Sequence, residues 1–138
     1  MIGKRIELDG TIVEKDGQQF VSGRGLFRDG YTRIHRIEPH GFASSPVKGG
    51  QGLLLAPNGD ADQAFVVGGE HPGHRPGNLP GGGTAIYDAS GNIISLVGTK
   101  IRIVAPVLEL VGDLDVQGNI HATGTIIDEL GNTNHHSH

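Results

Sequence analysis

The chain has 138 residues, no cysteine and a formal net charge of −4, so it can form one ordinary domain or two small ones, without disulfides or thiolate metal sites. Glycine is more than twice as frequent as usual, at 24 residues, and aromatic residues make up only 4%, which excludes a large aromatic core. No stretch approaches about eighteen apolar residues and no basic-then-apolar segment opens the chain, so we expect no membrane-spanning helix and no signal peptide.

The first half of the chain predicts short β-strands separated by turn residues. The stretch RIELDGTIVEKDGQQFVSG predicts strands separated by Asp-Gly turns at Asp9-Gly10 and Asp16-Gly17. Further strands are predicted for YTRIHRIEP, GQGLLLAP and QAFVVGG. About five strands in about seventy residues predict a closed barrel of the OB type over residues 1–75.

Residues 71–83, HPGHRPGNLPGGG, mark a boundary. Three prolines and five glycines in this stretch exclude regular structure, and we assign residues 76–83 as a linker. The part that follows is acidic: residues 76–138 hold Lys100 and Arg102 against six acids, which accounts for the whole net charge. A mildly acidic second half argues against nucleic acid or anionic lipid as its partner.

Residues 84–130 contain a six-residue repeat that predicts a β-helical stem. Aligned by sixes, the sequence runs LELVGD, LDVQGN, IHATGT and IIDELG, with an apolar residue at the first place of all four. The third place is apolar and the fifth is glycine in the first three hexads, and Asp128 breaks the pattern in the last. This pattern is typical of two inward side chains followed by a glycine corner. The residues predicted to face the axis are Leu108, Leu110, Leu114, Val116, Ile120, Ala122 and Ile126.

The small number of repeats favours a trimer over a single-chain β-helix. About four hexads make little more than one coil, and one coil cannot bury its own inward face. Three chains that supply one face each can close a prism from the same segment. The predicted fold is therefore all-β, with an OB-fold barrel followed by an intertwined, trimeric, triple-stranded β-helix.

The last residues, 131–138, predict a metal-binding tip. His136 and His138 are two apart, so they point the same way in an extended chain, and three chains place six imidazoles around the axis. Six nitrogen donors suit an octahedral ion such as Fe(II), Ni(II) or Co(II), and not four-coordinate structural zinc. His135 points away from this site, and we interpret His121 as facing solvent.

These features together resemble the central spike proteins of contractile-tailed phages, of the baseplate assembly protein V or Mu spike type. EPHGFASSPVKGGQGLLLAPNGDADQAFVVGGEHPGHRP is similar to the second half of that family's OB domain, and GGGTAIYDASGNIISL is similar to its transition to the β-helix. APVLELVGDLDVQGNIHATGTI resembles its triple-stranded β-helix, and NHHSH carries its His-x-His tip motif. The resemblance extends over residues 38–138 and, more loosely, over residues 1–37.

The resemblance implies a non-enzymatic homotrimer in the virion, at the tip of the tail baseplate, which contacts tail hub proteins and pierces the bacterial outer membrane. It also implies one iron per trimer, bound by His136 and His138. Family members can hold calcium or chloride near the tip as well, and acidic or amide residues, among them Asp128, are candidates for such a site. Many relatives continue beyond the motif, whereas this sequence stops at His138.

Two other classes of function remain open from the sequence. One is an OB-fold module that binds nucleic acid or carbohydrate and carries a β-helical trimerisation tail. Its basic face would include Arg24, Arg28, Arg33 and Arg36, and Phe27 and Tyr31 are the aromatic residues near it. The other is a hexapeptide-repeat acyltransferase with a catalytic histidine, which needs more coils than these hexads can build. His71 and His74 lie in the Gly/Pro stretch, and no arrangement of a carboxylate or nucleophile supports a catalytic or ligand role for them.

Overall fold

The computed structural model describes residues 2–25, 27 and 29–130. The described part is all-β, as predicted, with eight strands and two short 3-10 turns, at Pro57–Gly59 and Ala61–Gln63. None of the described residues belongs to a helix long and apolar enough to cross a membrane. The strands are β1 (Ile2–Lys15), β2 (Gln18–Gly25), β3 (Gly30–Arg36), β4 (Gln51–Ala56), β5 (Phe65–Glu70), β6 (Thr84–Tyr87), β7 (Ile93–Val97) and β8 (Lys100–Val104).

The first five strands close into a barrel in the order β1-β2-β3-β5-β4, and β1 pairs with β4 to complete the ring. All neighbouring pairs are antiparallel except the short parallel pair of β3 and β5. A closed five-stranded barrel is the architecture of an OB-like fold, so this part of the prediction is confirmed. The core that fills the barrel consists of Ile6, Leu8, Val21, Leu54 and Val66.

The predicted turn at Asp9-Gly10 is wrong. β1 runs through this pair without a break, and only its register with β2 shifts there. Leu8 bonds instead to the β3–β4 loop: its N–H donates to the Gly50 carbonyl at 2.8 Å and its carbonyl accepts from the Gly49 N–H at 2.9 Å. The Asp-Gly pair is therefore a bulge inside one long strand. Asp16 and Gly17 form a tight turn as predicted, with φ of 55° and 76°.

A buried arginine ties the β3–β4 loop to the barrel. Arg36, at the end of β3, is 8% exposed. Its Nε donates to the Gly68 carbonyl at 2.6 Å and its Nη2 donates to Ser44 Oγ at 2.9 Å. Its Nη1 donates to Glu38 Oε1 at 2.8 Å, to Gln19 Oε1 at 2.9 Å and to the Ser44 carbonyl at 3.3 Å. The carboxylate of Glu38 compensates the buried charge, and the neutral acceptors satisfy the remaining donors.

The last three strands form a second, open sheet in the order β6-β7-β8. Gly98, with φ +61°, begins the two-residue turn that joins β7 to β8. Asp88 holds the longer β6–β7 turn: its Oδ1 accepts the backbone N–H groups of Ser90 at 2.9 Å and Asn92 at 3.0 Å, and its Oδ2 accepts Asn92 Nδ2 at 2.7 Å. Residues 84–104, which the sequence analysis assigns to the stem, thus form an antiparallel sheet within one chain.

The Asp88 turn makes this hairpin sensitive to acid. The side-chain amide of Asn92 first, and backbone N–H groups after it, hold the pKa of Asp88 below its usual value of 3.8. Because the folded-state pKa is depressed, the stabilisation is present above the usual pKa and is lost as the pH falls through the folded-state pKa. We expect Asn92→Ala to move the pKa of Asp88 back towards its usual value, as measured by carbon-13 NMR titration of the carboxyl group.

Ser90→Ala is the matched control for this titration. Ser90 donates to Asp88 through its backbone N–H, which alanine keeps, so the pKa of Asp88 should stay where it is in the unmodified chain. An equal rise of the pKa in both variants would contradict the role assigned to the Asn92 side chain.

Residues 106–130 belong to a second compact unit, which starts at Pro106. None of them lies in a strand, and all of them are exposed in the single chain. The backbone bends at regular intervals of six residues, at Pro106, Gly112, Gln117–Gly118 and Thr123–Gly124, and the residues between carry no bend. Gly112 and Gly118 have φ of +129° and +143°, values that glycine adopts more readily than other residues.

Candidate assembly surface

One face of the β6-β7-β8 sheet is aliphatic and open to solvent in a single chain. Directly opposed residues of antiparallel strands share a face, and successive rows alternate between faces. The row Ile86, Ile94, Ile103 and the row Thr84, Leu96, Ile101 therefore lie on the same side. Its five large apolar residues, which we call the aliphatic face, are 38–67% exposed: Ile86, Ile94, Leu96, Ile101 and Ile103.

The opposite face of the sheet is mixed. Its middle row is Ala85, Ser95 and Arg102, and Lys100 lies on the same side at the end of β8. The row Tyr87, Ile93 and Val104 lies on this side too, as does Val97. The two faces therefore differ in charge: both basic residues of β8 are on the mixed face, and the aliphatic face carries no charged residue. A contiguous apolar face of this kind marks an interaction surface.

The axis residues predicted from the sequence begin at Leu108, so the aliphatic face is not among them. A signal for it is present: apolar residues alternate along both strands of the hairpin, at Ile94 and Leu96 and again at Ile101 and Ile103. The six-residue repeat starts only at Leu108, whereas β7 and β8 are joined by a two-residue turn at Gly98 and Thr99.

The predicted axis residues of the stem are also exposed in the single chain. The six large ones among them are 41–70% exposed, whereas Val107, Val111, Ile127 and Leu130 are 78–90% exposed. The seventh, Ala122, is exposed as well. The predicted axis positions are therefore the less exposed of the large apolar residues after Pro106, although all of them are still exposed.

The predicted metal ligands His136 and His138 lie outside the described residues, as does His135. In the described part of the chain, no group of three or more His, Asp or Glu side chains is arranged to hold a metal ion. His121 is exposed. Asp128, the candidate calcium ligand, accepts the backbone N–H of Leu130 through Oδ1 at 2.9 Å.

Two histidines of the Gly/Pro segment form a stacked pair. The ring centroids of His71 and His74 are 4.1 Å apart and the rings are inclined by 18°. His71 Nδ1 accepts the backbone N–H of Gly73 at 3.0 Å. Both rings are half-buried, and the pair lies in the turn that follows β5.

The arginines named above as a possible nucleic-acid face are not all exposed. Arg24 and Arg33 are exposed, but Arg36 is buried in the network described above, and Arg28 lies outside the described residues. The hydroxyl of Tyr31 is hydrogen-bonded to Asp29 and Lys4.

Tyr31 belongs to a charged cluster on the barrel. Its hydroxyl donates to Asp29 Oδ2 at 2.5 Å and accepts from Lys4 Nζ at 2.7 Å. The bond from Tyr31, followed by the bond from Lys4, lowers the pKa of Asp29 below 3.8. The bond to Tyr31, followed by the bond to Asp29, raises the pKa of Lys4 above 10.5. The cluster links β1 to the start of β3.

The similarity of this chain to a known protein family lies in the barrel. Residues 10–73 match the model of a protein family described as bacteriophage Mu Gp45, N-terminal. The matched stretch begins within β1 and ends three residues after β5, so it covers most of the barrel and a little under half of the chain. No curated protein matches the chain. The match over the barrel supports the conclusion that this chain is a phage baseplate protein.

Proposed function

We propose that the chain is the structural subunit of a homotrimeric central spike at the tip of a contractile phage tail, which pierces the outer membrane of the host. The observation that carries this proposal is the regular bending of residues 106–124. Corners recur every six residues, the spacing at which the sequence places glycine, and the large apolar residues between them remain exposed in one chain.

Three copies explain this exposure better than one. A segment with corners every six residues and inward apolar side chains forms one wall of a prism, and its apolar side is buried only when other walls close around it. The segment is too short to wind back over itself. Two further copies of the same segment supply the missing walls.

The barrel and the stem then have separate tasks. The family match concerns the barrel, which we assign to assembly with other baseplate and hub proteins in the virion tail. The stem is assigned to membrane penetration, a mechanical task that needs no catalytic group. A stem made of three intertwined chains unfolds only when the chains separate, so its folding and its assembly are one equilibrium.

We also propose, from the donor atoms at the end of the chain, that three chains bind a single iron on the three-fold axis. His136 and His138 supply two imidazoles per chain, and three chains supply an octahedral set of nitrogen donors. The metal, when bound, would link three chain ends where the apolar residues run out, and its binding free energy would add to the stability of the tip.

The full-length chain without an affinity tag is expected to have the mass of three chains by multi-angle light scattering, and about one iron per three chains by elemental analysis. The mass of a single chain would contradict the spike as a whole, because the stem has no other means to bury its apolar side.

The iron has its own control. Replacing both His136 and His138 by alanine should abolish the bound iron, whereas His135→Ala should retain it because this side chain is predicted to point away from the axis. Iron retained in the double variant, or lost equally in His135→Ala, would contradict the proposed ligands. Neither result would contradict the trimer, which the light-scattering mass tests separately.

A further inference from the structure

The two edge strands of the second sheet are open. Within the described residues, β6 and β8 each pair only with β7, so their outer edges present unpaired backbone N–H and C=O groups. β6 has the sequence TAIY, without the proline or charge that natural edge strands use to prevent pairing. The charges of β8, on Lys100 and Arg102, lie on the mixed face and leave the aliphatic face uninterrupted.

The directions of these strands decide how copies can join. β6 and β8 are both antiparallel to β7, so they run the same way. A rotation about an axis along the strands preserves this direction, and it brings β8 of one copy beside β6 of the next as parallel neighbours. A two-fold axis across the strands would instead join identical edges, β8 to β8 or β6 to β6.

The width of the resulting ring favours three copies. Two copies would contribute six strands and three copies nine. A barrel of about eight strands has an interior just wide enough for side chains to fill. The aliphatic face brings five large side chains per copy, and the nine strands of three copies give a ring close to this size that can bury them.

We infer that β8 of each copy pairs in parallel with β6 of its neighbour, and that three sheets thus close into a nine-stranded barrel with the aliphatic face inside. The inference rests on the homotrimer of the proposed function and specifies its partner surface: a second copy of this chain at each edge. Closure removes both free edges of every sheet and buries the aliphatic face in a single step.

Engineered disulfides can test this pairing directly, because the chain contains no cysteine. Ala85 and Arg102 lie in the same row of the sheet on its mixed face, with Ser95 of β7 between them. Two strand spacings separate their Cα atoms by about 9–10 Å within one chain, which exceeds the roughly 7 Å that a disulfide can span. Cysteines at these positions can therefore bond only between chains.

The full-length Ala85→Cys, Arg102→Cys variant is oxidised and run on a denaturing, non-reducing gel. A second pair, Tyr87→Cys with Arg102→Cys, tests the register shifted by one two-residue step along β6. At least one pair should give a covalently closed trimer, because each copy is linked to two neighbours. Each single-cysteine variant should run as one chain. Ser95→Cys with Arg102→Cys is the positive control for oxidation, since these directly opposed residues should bond within one chain.

The possible results separate this inference from the proposed function. If light scattering gives three chains but neither pair forms cross-links while the control oxidises, the edge pairing is overturned and the trimer stands. A covalent dimer from a single-cysteine variant would show that identical edges meet, which overturns the three-fold ring. A mass of one chain in solution would overturn the trimer and the edge pairing together.

Discussion

Ile103→Asp in the full-length chain is expected to convert the homotrimer into single chains. Ile103 lies in the row of Ile86 and Ile94 on the aliphatic face and is 48% exposed in one chain. Assembly would bury this position in all three copies. An unpaired carboxylate costs several kcal/mol to bury, and three of them near one axis would also repel each other.

Arg102→Asp is the matched control for this substitution. Arg102 is the adjacent residue on the same strand, but it lies on the mixed face, so the same new charge should stay in water and the mass of three chains should persist. Light scattering measures the mass, and a cooperative thermal unfolding transition of the barrel in both variants checks that this domain remains folded. A trimer of Ile103→Asp, or loss of the trimer in both variants, would rule out the aliphatic face as the buried one.

Arg36→Ala is expected to destabilise the barrel by about 3–5 kcal/mol, the range found when one partner of a buried ion pair is removed. The Arg36 and Glu38 side chains are 7% and 18% exposed, and their atoms Nη1 and Oε1 are 2.8 Å apart. Without the guanidinium, Glu38 keeps a poorly solvated charge. The Gly68 carbonyl and the Gln19 and Ser44 side chains also lose a donor.

Thermal unfolding of the barrel should show this loss as a decrease of more than about 10 °C in Tm, given roughly 4–8 °C per kcal/mol for a domain of this size. Arg24→Ala is the control: Arg24 is exposed on β2, and its removal should change the free energy of unfolding by no more than about 0.5 kcal/mol. Equal Tm values for the two variants would show that the buried network does not stabilise the barrel.

The sequence predicts those features of the barrel that depend only on residues adjacent in the chain. The Asp16-Gly17 turn follows from the two residues themselves, since both must adopt positive φ. Asp9-Gly10 has the same composition but becomes a bulge, because Leu8 finds backbone partners in Gly49 and Gly50, about forty residues away along the chain. No pattern around residue 9 carries that information.

The arginines also show the difference between what neighbouring residues encode and what distant contacts decide. Arg33 and Arg36 each precede an isoleucine in YTRIHRIEP, and both are named from the sequence as members of a possible basic face. The closed barrel separates them: Arg36 meets acceptors from β2, β5 and the following loop, whereas Arg33 stays in solvent.

The second half shows what periodicity can determine without a tertiary structure. The six-residue repeat predicts corners near Gly112, Gly118 and Gly124, and the backbone bends at each of them. A glycine corner needs only the conformational freedom of one residue, so its position is encoded locally.

By itself, the sequence determined that the chain is all-β, that a barrel occupies its first seventy or so residues, and that corners recur every six residues near its end. These properties follow from residue type and spacing. The tertiary structure decided which arginine is buried, where β1 bulges, and that residues 84–104 form a sheet with one aliphatic face. Those outcomes depend on strand pairing and on contacts between distant segments, because the same side chain is buried or exposed according to the neighbours that the fold brings to it.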